Sequence, residues 1–230
     1  MKKVSVIIPA LNEERSVAAV IGEIPAGAVA ETVVVNNGST DSTADKARAA
    51  GATVIDEPVR GYGKACLAGI KHISRDSQSR PDVVVFLDAD HSDYPEEIPM
   101  LVEPVFRGEA DFVVGSRITG ERTKGALPPH TVVGNRVAGF ILSALFGVKF
   151  TDLGPFRAIR FSSLQSLQMS DEGYGWTVEM QIKAVKKKLR CVEVPVRYRE
   201  RTGVSKISGT FSGSVKAGAK IIWMILKHAF

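Results

Sequence analysis

The sequence is poor in cysteine and has no long apolar stretch. Cys66 and Cys191 have neither metal-ligand spacing nor a disulfide framework, so we expect free thiols in a reducing cytosol. No run reaches the ~18 to 20 apolar residues that a membrane-spanning helix needs. Lys2 and Lys3 precede a short run that ends at Pro9, unlike the start of a signal peptide. We therefore expect neither a disulfide-rich secreted domain nor an integral membrane protein.

Three common catalytic signatures are also missing. Gly61-Tyr62-Gly63 begins a possible dinucleotide-binding pattern, but Cys66 occupies the position of its third glycine. The chain has no P-loop with its lysine, and no glycine-flanked serine typical of hydrolases. These absences disfavour dinucleotide enzymes, P-loop enzymes and serine hydrolases.

The composition fits one large α/β domain with a full core. The chain has 230 residues, of which 44% are hydrophobic and 24% charged, and a formal net charge of +5. Clustered cations suit polyanions such as nucleotide phosphates, anionic lipid or nucleic acid. A solvated helix end is the simpler interpretation of residues 186–188. The basic clusters consist of Lys183, Lys186 to Lys188, Arg190, Arg197, Arg199, Arg201 and Lys206.

Strands and helices alternate through the first half of the sequence, which predicts a mostly parallel sheet covered on both faces. Ligands of such sheets bind at the carboxyl ends of the strands, where three polar clusters fall: residues 9–13, 36–41 and 88–93. Strands are predicted at residues 4–8, 32–35, 53–55, 83–87 and 111–114, and helices at about 12–24, 44–50 and 64–73.

The second half is less regular. Residues 117–130 predict a long mobile loop, and helices follow at about 134–150 and 176–188, with a strand at 191–198. We divide the chain into a catalytic domain, residues 1–209, and a C-terminal amphipathic helix, residues 210–230. Lys216, Lys220 and Lys227 flank the apolar face of that helix. It fits either an interfacial membrane helix or a terminal helix docked on the domain.

Asp88-Ala89-Asp90 follows the apolar run Val83 to Leu87. Residues i and i+2 of a strand point the same way, so the two carboxylates leave the strand as a pair. A hard divalent cation would neutralise such a pair, although for an isolated motif a solvated acidic turn at the strand end is the simpler interpretation.

Seven motifs in order resemble an inverting family-2 glycosyltransferase of the GT-A fold, which is Rossmann-like. More narrowly, they are similar to the polyprenyl-phosphate mannose and glucose synthases. The resemblance runs from about residue 4 to residue 208. The motifs are residues 9–13 (PALNE), 36–41 (NNGSTD), 61–65 (GYGKA), 88–90 with 95–96 (DAD and PE), 115–117 (GSR), 152–157 (DLGPFR) and 201–206 (RTGVSK).

The resemblance implies roles for particular residues on the donor side. Asn36 stands where relatives use a base-reading aspartate, which leaves uridine and guanosine donors open. Asp88 and Asp90 would bind Mg²⁺ or Mn²⁺ through the donor diphosphate. Ser92 replaces a glutamine ligand, so Ser92, Asp93 or water could complete the metal shell. The nucleotide-sugar site would comprise Pro9, Leu11, Glu13, Asn36, Gly38, Lys64, Asp88, Ala89 and Asp90.

The resemblance also implies phosphate-binding and catalytic residues. Asp152, Asp90 and Arg117 would be catalytic, with Asp152 as the base if the acceptor is a hydroxyl and with Glu179 as a second carboxylate behind it. An acceptor phosphate is already ionised and needs no strong base. The phosphate-binding set would be Arg117, Arg201, Ser205 and Lys206.

The expected function is metal-dependent, inverting transfer of a hexose from a UDP-glucose or GDP-mannose type donor to a polyprenyl phosphate. We expect a cytoplasmic protein, peripheral at the inner face of a membrane, with no nucleic-acid partner and with oligomerisation possible. Transfer to a hydroxyl acceptor, a sugar nucleotidyltransferase and a catalytically silent membrane-binding module are the alternatives. The sugar, the base and the acceptor stay open.

Overall fold

A seven-stranded mixed sheet organises the protein. The computed structural model describes residues 2–203 and 211–229. The strand order is β3-β2-β1-β4-β6-β5-β7, and β6 runs antiparallel to both of its neighbours while the other paired strands are parallel. The strands are β1 Val4–Ala10, β2 Glu31–Asn36, β3 Thr53–Asp56, β4 Val83–Phe86, β5 Phe112–Ser116, β6 Arg157–Arg160 and β7 Cys191–Pro195.

Helices cover both faces of this sheet. Two buried apolar clusters, one on each face, form the core. The predicted α/β architecture with a mostly parallel sheet is therefore confirmed. The helices are α1 Val17–Gly22, α2 Thr43–Ala49, α3 Tyr62–Ile73, α4 Ile98–Phe106, α5 Pro129–Phe146, α6 Phe161–Leu167, α7 Trp176–Lys186 and α8 Phe211–Ala229, with a short 3-10 helix at Pro95–Glu97.

The apolar run of β4 explains why this strand lies in the middle of the sheet. All four of its residues are fully buried, so both faces of the strand need a covering layer. On one face α3 packs closely on β1, because a Cβ added at Gly69 would lie 2.6 Å from Cγ2 of Ile7. The central strands are thus clamped between helices, and their carboxyl ends form a rigid edge.

Strand register brings the three polar clusters to that edge. Ala10 of β1 pairs with Asn36 of β2, and Ile7 of β1 pairs with Phe86 of β4. Residues 11–13, 37–41 and 88–93 therefore leave the sheet side by side, as the sequence predicted.

Several elements differ from the sequence prediction. The first helix begins at Val17 because residues 13–16 form a hydrogen-bonded turn. Helix α5 begins at Pro129, and residues 120–123 before it are pinned to the segment after β7. There the amide of Thr123 donates to the carbonyl of Tyr198 over 2.9 Å, and a Cβ at Gly120 would lie 1.9 Å from the carbonyl oxygen of Val196. Residues 117–128 form a loop, close to the predicted bounds of 117–130, and part of that loop is hydrogen-bonded to the segment after β7.

Three elements have no counterpart in the sequence prediction. They are α4, the antiparallel β6 and α6. Within the described residues, no helix is long and apolar enough to cross a membrane.

Candidate active site

A cavity of about 700 Å³ opens at the carboxyl edge of β1 and β4. Its size suits a nucleotide sugar. Seven of the nine predicted donor-site residues and Arg201 lie in its wall. The lining residues are Pro9, Ala10, Leu11, Glu13, Asn37, Arg60, Gly61, Tyr62, Lys64, Asp88, Ala89, Asp90, Glu172, Gly173, Tyr174 and Arg201.

Asp88 is one of the two carboxylates of the predicted pair, and it lies at the back of the cavity. The hydroxyl of Tyr62 donates to its Oδ1 over 3.1 Å. Burial, and then the neighbouring charge of Asp90, raise the pKa of Asp88 to about 7. Two acidic groups so close favour a bound cation, which would offset their charge.

Asp90 is buried and held on two sides. The Ser92 hydroxyl donates to its Oδ1 over 2.5 Å, and an Arg201 guanidinium nitrogen lies 3.1 Å from its Oδ2. Arg201 also donates to Glu13 over 3.2 Å. Ser92 is therefore engaged with a carboxylate, and Arg201 joins Glu13 and Asp90 in the cavity wall, where its charge can meet an anionic ligand.

The carboxylates fit a hard divalent cation. Among the described residues, no group of three His, Cys, Asp or Glu side chains has the geometry of a metal site. Two carboxylates that open into a nucleotide-sized cavity suit Mg²⁺ or Mn²⁺ nonetheless, since such ions take one or two protein carboxylates and fill the shell with substrate phosphates and water. Asp88 and Asp90 are the residues that could hold the ion.

Asn36 is the last residue of β2 and Asn37 follows it; Asn37 lines the cavity and Asn36 does not. The Asn36 amide donates to Asp56 over 2.7 Å, whereas Asn37 donates to the carbonyl of Val59 and accepts from the amide of Gly61. The base-reading role of Asn36 stays a prediction, and so does the role of Gly38, which has a φ of +73° and lies outside the lining.

Residues 172–174 form a wall of the cavity that the sequence did not predict. The amide of Lys64 donates to the carbonyl of Glu172 over 3.1 Å, and the Lys64 ammonium lies 3.2 Å from the Glu172 carboxylate. A Cβ at Gly63 would lie 1.9 Å from the carbonyl oxygen of Asp171. Gly61 and Gly63 thus allow residues 171–172 to approach α3 closely. These two glycines are the signal in the sequence that could have revealed a close contact here.

Asp152 and Arg117 lie together, and neither lines the cavity. The Arg117 side chain donates twice to the Asp152 carboxylate, each over 2.7 Å, and its backbone amide donates over 2.9 Å. The Asn135 amide adds a fourth donor over 2.7 Å. Burial alone would raise the pKa of Asp152, but the charge and hydrogen bonds of Arg117 hold that pKa below its ordinary value. This carboxylate is a weak proton acceptor.

Other carboxylates near the site have separate roles. Glu179 is buried in α7, where it accepts hydrogen bonds from Ser170 and the amide of Asp171 and pairs with Lys183, so it supports the loop before α7. Asp93 is buried, and neither of its oxygens has a hydrogen-bond partner within the described structure. Burial, and then the charge of Asp88, raise the pKa of Asp93 well above its ordinary value. The predicted phosphate-binding Ser205 and Lys206 lie outside the described residues.

A mostly parallel sheet with a nucleotide-sized cavity and a carboxylate pair at its strand ends fits the GT-A class of glycosyltransferases. The chain belongs to glycosyl transferase family 2, whose family model matches residues 5–168.

The relatives of this chain include lipid-phosphate enzymes. A polyprenol monophosphomannose synthase of Mycolicibacterium smegmatis is 33% identical over 218 residues, covering 89% of this chain and 81% of that protein. A dolichyl-phosphate hexose transferase of Haloferax volcanii is 33% identical over 232 residues, covering 97% and 94%. An uncharacterized glycosyltransferase of Mycobacterium tuberculosis is 37% identical over 217 residues, covering 93% and 94%.

Among solved structures, glucosyl-3-phosphoglycerate synthase of Mycobacterium tuberculosis in complex with Mn²⁺, UDP and phosphoglyceric acid is similar. Its TM-score is 0.77 at 26% identity, and the alignment covers 99% of this chain and 78% of that one. The same enzyme has also been crystallised with Mg²⁺ and UDP.

Proposed function

We propose that this protein transfers a hexose, with inversion, from a UDP or GDP sugar to a polyprenyl phosphate at a membrane surface. One observation carries the choice of acceptor: both oxygens of Asp152 are occupied by Arg117 and Asn135. A hydroxyl acceptor needs a base to take its proton, whereas a phosphate arrives ionised. A site without a free base therefore suits a phosphate.

The donor would lie in the 700 Å³ cavity. Residues 9–11, Glu13 and Asn37 would take the base and ribose, and Asp88 and Asp90 would lie where the diphosphate approaches. When bound to these two carboxylates, Mg²⁺ or Mn²⁺ would offset the charge that develops on the departing diphosphate. The solved neighbours with Mn²⁺ or Mg²⁺ and UDP support this assignment.

Arg201 supplies further charge on the leaving-group side. It spans Glu13 and Asp90 at the cavity wall. In the reaction an acceptor phosphate oxygen attacks the anomeric carbon from the face opposite the diphosphate, and the anomeric C–O bond to the diphosphate breaks. Positive charge from Arg201 stabilises the departing oxygen. The products are a nucleoside diphosphate and a glycosyl phosphate, and no proton must be removed.

Arg117 contributes on the acceptor side. Its guanidinium lies 5.0 Å from the centre of the Tyr198 ring and is oriented by Asp152. Because a carboxylate already holds this arginine in one position, little conformational entropy is lost when it binds a ligand. We assign Asp152 to holding Arg117 rather than to proton transfer.

An apolar surface on α5 and α8 supports a lipid acceptor. Phe140 is 75% exposed, and α5 packs against α8. Exposed apolar side chains with nearby lysines are typical of helices that lie in a membrane interface. The surface comprises Val133, Val137, Phe140, Leu145, Ile222, Trp223 and Leu226.

Transfer of label tests this function. The protein would be incubated with Mn²⁺, polyprenyl phosphate in vesicles and radiolabelled UDP-glucose or GDP-mannose. We expect organic-extractable label that needs both the metal and the lipid phosphate, with loss of product in Asp90→Asn. Labelled product only in the aqueous phase, or no transfer from either donor, would contradict the proposal.

A further inference from the structure

The cavity wall at residues 172–174 is fixed from behind by a buried carboxylate. Asp171 accepts hydrogen bonds from the backbone amides of Gly173 over 2.9 Å and Gly175 over 3.0 Å, both at its Oδ1. Its own amide donates to Glu179 over 2.8 Å. Asp171 therefore closes a tight turn, and the outer side of that turn is the cavity wall.

The second oxygen of Asp171 reaches the C-terminal helix. The Lys220 ammonium of α8 lies 2.8 Å from Oδ2, and the Asp171 side chain is 4% exposed. A buried carboxylate is costly unless a cation and donors compensate it. The Lys220 side chain, which is 38% exposed, supplies that cation from the surface side of α8. Neither residue belongs to the seven sequence motifs.

Packing between α8 and the turn strengthens this link. Met224 and Ile225 of α8 are buried in the core, and a Cβ added at Gly175 would lie 2.8 Å from Cε of Met224. The helix is thus in direct contact with the turn as well as paired to it. A change in the position of α8 would be transmitted to residues 172–174.

This turn also contacts α3, at the mouth of the cavity. The amide of Lys64 donates to the carbonyl of Glu172, and the two side chains form an ion pair. Gly61 and Gly63 leave no space between α3 and the turn. The wall is consequently held between α3 on one side and Asp171 with α8 on the other.

We propose that Asp171 and Lys220 are positioning residues of the donor site, through which the C-terminal helix sets the affinity for the nucleotide. The inference rests on the proposed function, because it takes the cavity to be the donor site. It assigns a role in donor binding to α8 that does not depend on contact between this helix and lipid.

Calorimetric titration with UDP and GDP in the presence of Mn²⁺ tests the pair. In Lys220→Met the buried Asp171 loses its cation, and we expect the Kd of the preferred nucleotide to rise about fivefold to tenfold, a typical coupling between sites. The KM for the donor should rise with it while kcat at saturating donor stays within about twofold. Lys220→Arg should restore the wild-type Kd.

Lys227→Met is the matched control, because Lys227 lies over the same Trp223 ring as Lys220 on α8. Its Kd should equal that of the wild type. The double variant Asp171→Asn with Lys220→Met should bind the nucleotide no worse than Lys220→Met alone. The reason is that each of the two substitutions removes the same Asp171–Lys220 ion pair.

Hydrogen exchange in the absence of nucleotide provides an independent readout. The amides of Gly173 and Gly175 should exchange faster in Lys220→Met than in Lys227→Met. A lower melting temperature with unchanged Kd and unchanged exchange would overturn the inference and leave the proposed function standing. A wild type that binds neither nucleotide would overturn both.

Discussion

Replacement of Asp152 by asparagine separates a phosphate acceptor from a hydroxyl acceptor. The structure predicts a large loss of stability, because the buried Arg117 loses the negative charge that three of its N–H groups contact. Breaking a buried ion pair costs about 3 to 5 kcal/mol. Because the asparagine oxygen can still accept a hydrogen bond from Arg117, we expect a loss at the lower end, about 3 kcal/mol. For a domain of this size the melting temperature should fall by roughly 6 to 12 °C.

The catalytic effect should be small by comparison. If Asp152 only holds Arg117, transfer to polyprenyl phosphate, assayed below the variant's melting transition, should fall by about tenfold or less. Loss of a general base costs about 10² to 10⁴ in rate. The assay is kcat with saturating donor and polyprenyl phosphate, with folding checked by circular dichroism at the same temperature. A loss beyond about a thousandfold in folded protein would refute the positioning role.

Asp111→Asn is the matched control for stability. Asp111 pairs with Arg190 over 2.9 Å and with Arg160 over 3.4 Å at the start of β5, away from the cavity. The Asp111→Asn variant loses a carboxylate–arginine contact, as the Asp152→Asn variant does. The kcat of this variant should equal that of the wild type, although its melting temperature should be lower.

Three further predictions concern the cavity and acid stability. Asp88→Asn should abolish the gain in UDP or GDP affinity that Mn²⁺ gives in calorimetry, and a persistent gain would exclude this residue as a ligand. Gly63→Ala should weaken nucleotide binding and lower the melting temperature, because its Cβ would lie 1.9 Å from a backbone carbonyl, whereas Gly134→Ala in α5 has open space and should do neither. Hydrogen bonds from Arg190 lower the pKa of Asp111 to about 2, so its stabilisation is complete above about pH 4 and is lost as the pH falls toward 2. Melting curves should show the difference between wild type and Asp111→Asn shrinking over that range, and a constant difference would contradict this assignment.

The strand-end clusters could be predicted because they depend on local pattern. The buried run before Asp88 and the alternation of strands with helices place residues 9–13, 36–41 and 88–93 at one edge whatever the details of packing. The choice between Asn36 and Asn37 could not be made in this way. Successive side chains at the end of β2 point to opposite faces of the sheet. Which asparagine faces the cavity therefore depends on the exact residue at which the strand ends.

The wall at residues 172–174 and strand β6 depend on long-range packing. Strand β6 has only four residues, with charged Arg157 and Arg160 at its ends, so its short pattern resembles a turn. Asp171 acquires its role only when Lys220 of α8 reaches it in the folded chain. The sequence could not show that Asp152 is paired with Arg117, because residues 35 positions apart meet only in the folded chain. The proposed role of Asp152 in holding Arg117 rests on that pairing.

The most direct test of the account compares polyprenyl phosphate with the corresponding polyprenol in one transfer assay. Both would be supplied in identical vesicles with Mn²⁺ and the labelled donor that the protein uses. We predict organic-extractable label with the phosphate alone, because the site holds Asp152 in an ion pair with Arg117 and a phosphate needs no base. Equal or faster transfer to the free hydroxyl of the polyprenol would contradict the account.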